Sequence, residues 1–215
     1  MKHHRFENSL LSISLRSPFA RRVRIAFLEH HLTFQEKVHD VFRPTPDLLE
    51  INPLGRVPAL QLSDGQILID SDLILQSFYE YTPSELIPPQ IEEKFKMHYW
   101  SALSVGIMEK TVEYFLETQR PPQKQDEEIE LELQQITQRV LLRAEAQLAH
   151  NMSQGVLTLS TYGLTQADFD LGIALAYLEL RYPQDDRLES FPCLKNFYFR
   201  LSQRDSFQKT RPPAV

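Results

Sequence analysis

Few residues in this 215-residue chain have the types or the spacing for bond-making chemistry. Its one cysteine, Cys193, cannot form an internal disulfide and has no partner for a CxxC redox pair. The seven histidines, His3, His4, His30, His31, His39, His98 and His150, give no HxxxH spacing, and no acidic residue completes a metal set. No metal site is expected. What remains is hydroxyl and carboxyl groups at helix starts. Ser17 stands directly ahead of Pro18, Asp70-Ser71 ahead of an apolar-periodic stretch, and Thr165-Gln-Ala-Asp168 ahead of the run Phe169 to Leu180. Read locally, each is a helix cap, the third in capping-box form.

The elements that must position these groups follow from periodicity and turn residues. Leu10 to Ser14 reads as a short strand, and Pro18 opens a helix that runs to about His31. Val23, Ala26, Phe27 and His30 share one face of that helix, which leaves Arg21, Arg22 and Arg24 to read as a solvated face. Thr33 to Val38 is a second strand and Asp47 to Ile51 a short helix. Asn52-Pro-Leu-Gly-Arg-Val-Pro58 is rich in turn residues. Ala59 to Leu62 and Ile67 to Ile69 form a hairpin around Ser63-Asp64-Gly65. Ser71 to Tyr81 is helical. The order predicts a compact α/β domain over residues 1–81.

Residues 82–90, with Pro83, Pro88 and Pro89, read as a linker. Residues 91–215 read as all-helical. One long helix spans Ile91 to Gln119 and stops at Pro121-Pro122. A second spans Asp126 to His150, with Ile129, Leu133, Ile136, Val140, Ala144 and Leu148 at helical steps. Asn151 to Gly163 reads as a loop, Thr165 opens a buried helix that ends at Pro183, and a last helix covers Pro192 to Ser206.

Composition narrows the function classes. Hydrophobic residues make up 42% and charged residues 24%, an ordinary globular balance. A net charge of −6 gives no electrostatic reason to seek nucleic acid. No apolar run approaches the roughly 20 residues of a membrane span, and Leu10 to Leu15 is too short for a signal-peptide core. A cytoplasmic protein with no nucleic-acid or membrane partner is expected.

Four motifs carry a resemblance to a known family. They are Ser17-Pro-Phe-Ala-Arg-Arg-Val-Arg-Ile25, Asn52-Pro-Leu-Gly-Arg-Val-Pro58, Asp70-Ser71 before a helix, and Leu164-Thr-Gln-Ala-Asp168 with Ser202-Gln-Arg-Asp-Ser-Phe207 near the end. In this order the chain resembles bacterial cytosolic glutathione S-transferases along almost its whole length. The resemblance implies a thioredoxin-like N-terminal α/β domain, an all-α C-terminal domain and a homodimer. It implies a detoxification enzyme that conjugates glutathione to a small electrophile, with glutathione as co-substrate and no permanently bound cofactor.

Glutathione attacks as a thiolate, and a free thiol with a pKa of about 8.5 is mostly protonated at neutral pH. A hydroxyl hydrogen bond and the positive end of a helix favour the anion. The resemblance gives Ser17 this catalytic role against the plain N-cap, with Ser14 as the rival hydroxyl. No tyrosine precedes Tyr79, which closes the tyrosine route. Val57-Pro58 matches the family's cis-proline loop, where the main chain of Val57 pairs with the cysteinyl part of glutathione while its side chain packs inward. Arg56 could reach a glutathione carboxylate or stand exposed beside the turn. Asp70 answers the γ-glutamyl ammonium, and Ser71 with the helix-start N–H groups answers the carboxylate; capping and binding are compatible.

The second substrate is expected near Leu15, Arg16, Trp100, Ser104, Ile107 and Met108. Arg16 has no clear family counterpart. Cys193 reads as a buried small hydrophobe. Two alternatives remain at this point. A glutathione-dependent isomerase uses the same fold, but its typical Ser-Ser-Cys stretch is replaced by Leu15-Arg16-Ser17. A non-catalytic regulatory adaptor also uses the fold, but has no need of the full set Ser17, Val57-Pro58 and Asp70-Ser71.

Overall fold

A computed structural model describes residues 5–184 and 187–213. The chain divides into two compact units. The first takes in the chain up to Ser84 together with Asp205–Pro213, and the second takes in Glu85–Arg204.

The first unit is built on four strands: β1 (Ser9–Ile13), β2 (Phe34–Val38), β3 (Ala59–Gln61) and β4 (Ile67–Ile69). Helices α1 (Pro18–Glu29), α2 (Pro46–Ile51) and α3 (Ser71–Tyr81) accompany them. The sheet order is β2-β1-β3-β4. β1 and β2 are parallel, because α1 carries the chain back to the starting edge, whereas β3 pairs antiparallel with both β1 and β4. This is the expected thioredoxin-like α/β unit. Its core holds the rings of Phe6, Phe27 and Phe78, all buried. Phe6 and Phe78 meet edge to face, with centroids 5.3 Å apart.

The register determines where the functional segments emerge. Ser12 of β1 pairs with Ala59 of β3, which in turn pairs with Ile69 of β4. One cross-strand row therefore lies just before the Ser14–Ser17 turn, just after Val57-Pro58 and just before Asp70-Ser71. Three segments distant in sequence leave the sheet from the same end.

The face expected for α1 is buried at Val23, Ala26 and Phe27. The reading of Arg21, Arg22 and Arg24 as a solvated face is corrected: all three are buried, Arg22 to 2% exposure. A buried guanidinium is tolerated only with partners, and each has them. Arg24 forms a forked pair with Glu36, at 2.7 and 3.1 Å. Arg21 donates to the Thr210 hydroxyl and the Phe207 carbonyl, both at 3.1 Å, and lies over the Phe207 ring. Arg22 reaches the start of α3. The last helix is also corrected. It ends at Ser202, and a separate short helix, α8 (Asp205–Lys209), follows. Ser206 donates to Glu29, and Arg21 holds the turn beyond it, so this segment is claimed by α1 rather than by the helix before it.

The second unit holds α4 (Ile91–Thr118), α5 (Glu127–Ser153), α6 (Gln166–Arg181) and α7 (Pro192–Ser202). α6 is buried from Gln166 to Leu178, as a helix apolar on all sides must be. α4 and α5 cover it. The expected capping box is present, with Thr165 and Asp168 bonding reciprocally. α5 runs one turn past the expected end at His150, because Asn151 is buried and its amide donates to the Thr158 carbonyl at 2.7 Å. Ile129 is exposed, whereas Leu133, Ala144 and Leu148 are buried. The N-terminus of α7 is capped from outside: the Glu145 carboxylate accepts from Cys193 N–H and Leu194 N–H, at 3.0 and 2.8 Å. Cys193 itself is half-buried, and burial pushes its thiol up.

No helix among the described residues is long and apolar enough to cross a membrane. Among those residues no group of three His, Cys, Asp or Glu is placed to hold a metal ion; His3 and His4 lie outside them.

Candidate active site

Ser17 is the N-cap of α1, and its Oγ accepts the Ala20 N–H at 3.2 Å. Its own N–H donates to the Ser14 carbonyl at 2.9 Å, which closes a tight turn with Leu15 and Arg16 exposed at its corners. The cap uses an acceptor lone pair of Ser17. The hydroxyl proton remains to be donated, at the positive end of a 12-residue helix. Ser14 is half-buried, one residue past the end of β1, and caps no helix.

The second segment is shaped by Asn52, which is buried to 2% exposure. Its side chain donates to the Arg56 carbonyl at 2.8 Å and accepts the Leu54 N–H at 3.1 Å, and its carbonyl accepts the Gly55 N–H. Gly55 takes φ +63°, and an added Cβ there would meet Pro44 at 3.0 Å, so both conformation and space require glycine. The Val57-Pro58 peptide that follows is cis. The Val57 side chain packs inward, at 8% exposure. Among the described residues no hydrogen bond is made by the Val57 N–H or C=O. Arg56 is exposed.

The third segment is the start of α3. Asp70 is its N-cap, and one carboxylate oxygen, Oδ1, accepts both Asp72 N–H and Leu73 N–H, at 2.9 and 3.0 Å. Asp70 is exposed, and among the described residues Oδ2 has no partner. Ser71 is buried, and its Oγ accepts from Arg22 of α1 at 2.8 Å. The same Arg22 nitrogen donates to Asp72 Oδ1 at 2.7 Å.

Behind this end of the sheet, His39 is buried beside Ser12 Oγ, 3.1 Å from its Nε2, and burial holds its pKa below the ordinary 6.5. Its backbone N–H bonds the Ile13 carbonyl at the exit of β1.

Residues 11–85 match the family described as "Glutathione S-transferase, N-terminal domain". A solved glutathione S-transferase from Methylobacillus flagellatus, with glutathione bound, superposes with a TM-score of 0.88 at 30% identity, covering 96% of this chain and all of that one. The chain belongs to the glutathione S-transferase family. A glutathione transferase family member from Pseudomonas fluorescens Pf-5, also with bound glutathione, matches with a TM-score of 0.82 at 29% identity over 96% of this chain and all of that one. The GST-like protein YibF of Escherichia coli, whose function is uncharacterized, is 28% identical over 202 residues, 93% of this chain and 96% of its own. Both units thus carry the glutathione S-transferase fold.

Within the first unit the sheet brings Ser17, Val57-Pro58 and Asp70-Ser71 to one end, with Arg56 exposed on the proline loop. The second-substrate candidates are placed differently. Trp100, Ser104, Ile107 and Met108 of α4 are all buried, and the Ser104 hydroxyl spends its proton on the Trp100 carbonyl at 2.7 Å. Sequence reasoning assigned no role to three residues that hold the segments in place: Asn52, Arg22 and Asp72. Asn52 was visible as the first residue of the proline motif. Arg22 stood inside the first motif, but nothing in the local pattern marked its pairing with Asp72, which joins residues 50 apart on two helices.

Proposed function

We propose that the chain is a glutathione transferase that holds the glutathione thiolate against Ser17 for attack on a small electrophile. The observation that carries this reading is the use already made of Ser17. Its Oγ is committed as an acceptor to Ala20 N–H, so outward it offers a donor, and a donor at a helix N-terminus favours an anion. The thiol proton leaves to solvent. The sulfur lone pair then forms the S–C bond while the leaving group departs with the electron pair of its own bond. Ser17 stays protonated throughout, and no general base is required.

The rest of the tripeptide has matching partners. The unbonded main chain of Val57 pairs with the cysteinyl segment in strand fashion. Asp70 Oδ2 accepts from the γ-glutamyl ammonium. Ser71, with its N–H at the first position of α3, donates to the glutamyl carboxylate. Asp72 N–H and Leu73 N–H are taken by Asp70 and contribute nothing to the ligand. Arg56 stands near the glycyl carboxylate. Glutathione is a co-substrate rather than a resident cofactor.

The protein acts as a cytoplasmic homodimer in this reading. An exposed apolar stripe on α4, Ile91, Phe95 and Tyr99 at steps of four, is the kind of surface that a second copy covers. Light scattering is expected to give a mass near twice 25.2 kDa; a monomer at micromolar concentration removes the assembly.

The test of the chemistry is Ser17→Ala beside Ser14→Ala, with conjugation of a chromogenic electrophile followed as a function of pH. Loss of one anion-stabilising donor costs about 10²–10³ in rate. Ser17→Ala is expected to lose rate on that scale and to shift the pH–rate profile upward, with glutathione affinity largely kept. Ser14→Ala is expected to stay near wild type. The reverse pattern transfers the role to Ser14, and no conjugation by the wild type defeats the reading.

A further inference from the structure

Arg22 is the least expected feature of the glutathione end of this site. It lies on α1, one helical turn and more beyond Ser17, and is among the largest fully buried side chains described. One of its nitrogens, Nη1, splits its two hydrogens between Ser71 Oγ and Asp72 Oδ1, at 2.8 and 2.7 Å. Ser71 is 4% exposed, whereas the Asp72 side chain is 66% exposed.

A guanidinium carries donors only. Ser71 can therefore accept from Arg22 but cannot donate to it, and the Ser71 proton must turn elsewhere. Among the described residues no acceptor for that proton is found. A serine hydroxyl in general serves a ligand as donor or acceptor alike, and so discriminates little. Here Arg22 takes one of the two lone pairs and leaves the proton to the ligand. The buried positive charge behind Ser71 works in the same direction, since it favours an anion on the far side of the hydroxyl.

We infer that Arg22 is a positioning and specificity residue: its buried guanidinium takes one lone pair of Ser71, turns the hydroxyl proton toward the ligand and sets a positive charge behind it, so that this end of the site selects a carboxylate. The inference rests on the glutathione reading above and deepens it. Asp70 completes the pattern from the opposite side. Its Oδ1 is held by two backbone N–H groups, and its Oδ2 can only accept when ionised. Adjacent residues thus present an acceptor and a donor backed by a buried positive charge, the arrangement that an α-amino acid head group requires. Asp72 tempers the device, because its carboxylate offsets part of the Arg22 charge.

The experiment compares two ligands, glutathione and its analogue with the glutamyl α-carboxylate converted to a primary amide. Affinities are measured by calorimetry on the full chain. The wild type is expected to prefer glutathione by roughly tenfold or more, the scale of a hydrogen bond to a charged group. In Arg22→Met the buried charge behind Ser71 is gone, so the preference for the charged ligand is expected to collapse to within about threefold. Arg22→Lys keeps a donor-only cation and should retain most of the preference. A purely structural role would weaken both ligands equally, leaving the ratio at the wild-type value, and that result overturns the inference.

Asp72→Asn covers the case in which the buried substitutions do not fold, since its side chain is exposed. Removing a counter-charge from Arg22 should raise the preference for the carboxylate above wild type. An unchanged or lower ratio overturns the inference. If the wild type binds neither ligand, the glutathione reading itself fails. If it binds both and no variant moves the ratio, only the role of Arg22 fails.

Discussion

Asp168 is a buried carboxylate at the start of α6, and its charge should make the helical unit more stable in mild acid than at neutral pH. The residue has no exposed surface. Its Oδ1 accepts Leu159 N–H and its Oδ2 accepts both the N–H and the hydroxyl of Thr165, each at 2.8 Å. Burial pushes its pKa up to about 6, against the pull of these bonds from Leu159 and Thr165. The ordinary value is 3.8, so at about 1.36 kcal/mol per unit the ionised form costs about 3 kcal/mol once the pH exceeds 6. The folded protein binds this proton more tightly than the unfolded chain does. The stability it contributes is fully present below pH 3.8 and is lost as pH rises through about 6.

Asp168→Asn removes the titration and leaves a backbone donor facing an amide N–H, a cost of about 1–3 kcal/mol. Above pH 6 that cost is offset by relief of the buried charge; below pH 4 it is not. The destabilisation caused by Asp168→Asn should therefore be larger at pH 4 than at pH 7, by about 2 kcal/mol. Other titrating groups cancel in this difference, including His39, whose depressed pKa acts in the opposite sense as pH falls below 6.5. Urea unfolding followed by Trp100 fluorescence measures it, since this single tryptophan is buried in α4 of the same unit. A penalty that is flat from pH 4 to pH 7, or larger at pH 7, refutes the reasoning.

Asp70→Asn keeps a capping oxygen for Asp72 and Leu73 but removes the charge, so the melting temperature should hold while glutathione binding weakens by about 1.5–3 kcal/mol; unchanged affinity in calorimetry would remove Asp70 from the site. Thr210→Val takes an acceptor from the buried Arg21 near the chain's end, and should destabilise the first unit by about 1–3 kcal/mol in chemical unfolding. A neutral result there would show that the segment after Arg204 is not anchored through this bond. Asn52→Ala should raise the glutathione KM with little change in kcat at saturation, because it frees the Arg56 carbonyl and the Leu54 N–H and loosens the loop that presents Val57. A fall in kcat alone would place the effect at the sulfur instead.

Whatever depends on neighbours within a few residues could be read from the chain alone. Pro18 after Ser17, Asp70 before Ser71, the Thr165–Asp168 box and Pro121-Pro122 mark helix ends by local hydrogen bonds and excluded conformations, and the helices start or stop there or within a few residues. The glycine–proline punctuation around Asn52 and Pro58 likewise marked the loop. The arginines of α1 were not legible, because polarity assigned them to water while their partners lie 12 to 189 residues away. A buried charge is stable only once those partners have arrived, so its position is decided by the assembled unit. The break between α7 and α8 has the same origin, since Glu29 and Arg21 capture residues that helical periodicity alone would have continued. The chain by itself determined which segments bear the serine, the proline and the Asp–Ser pair; the Ser12–Ala59–Ile69 row of the sheet decided that they meet, because only strand register brings distant segments to one end.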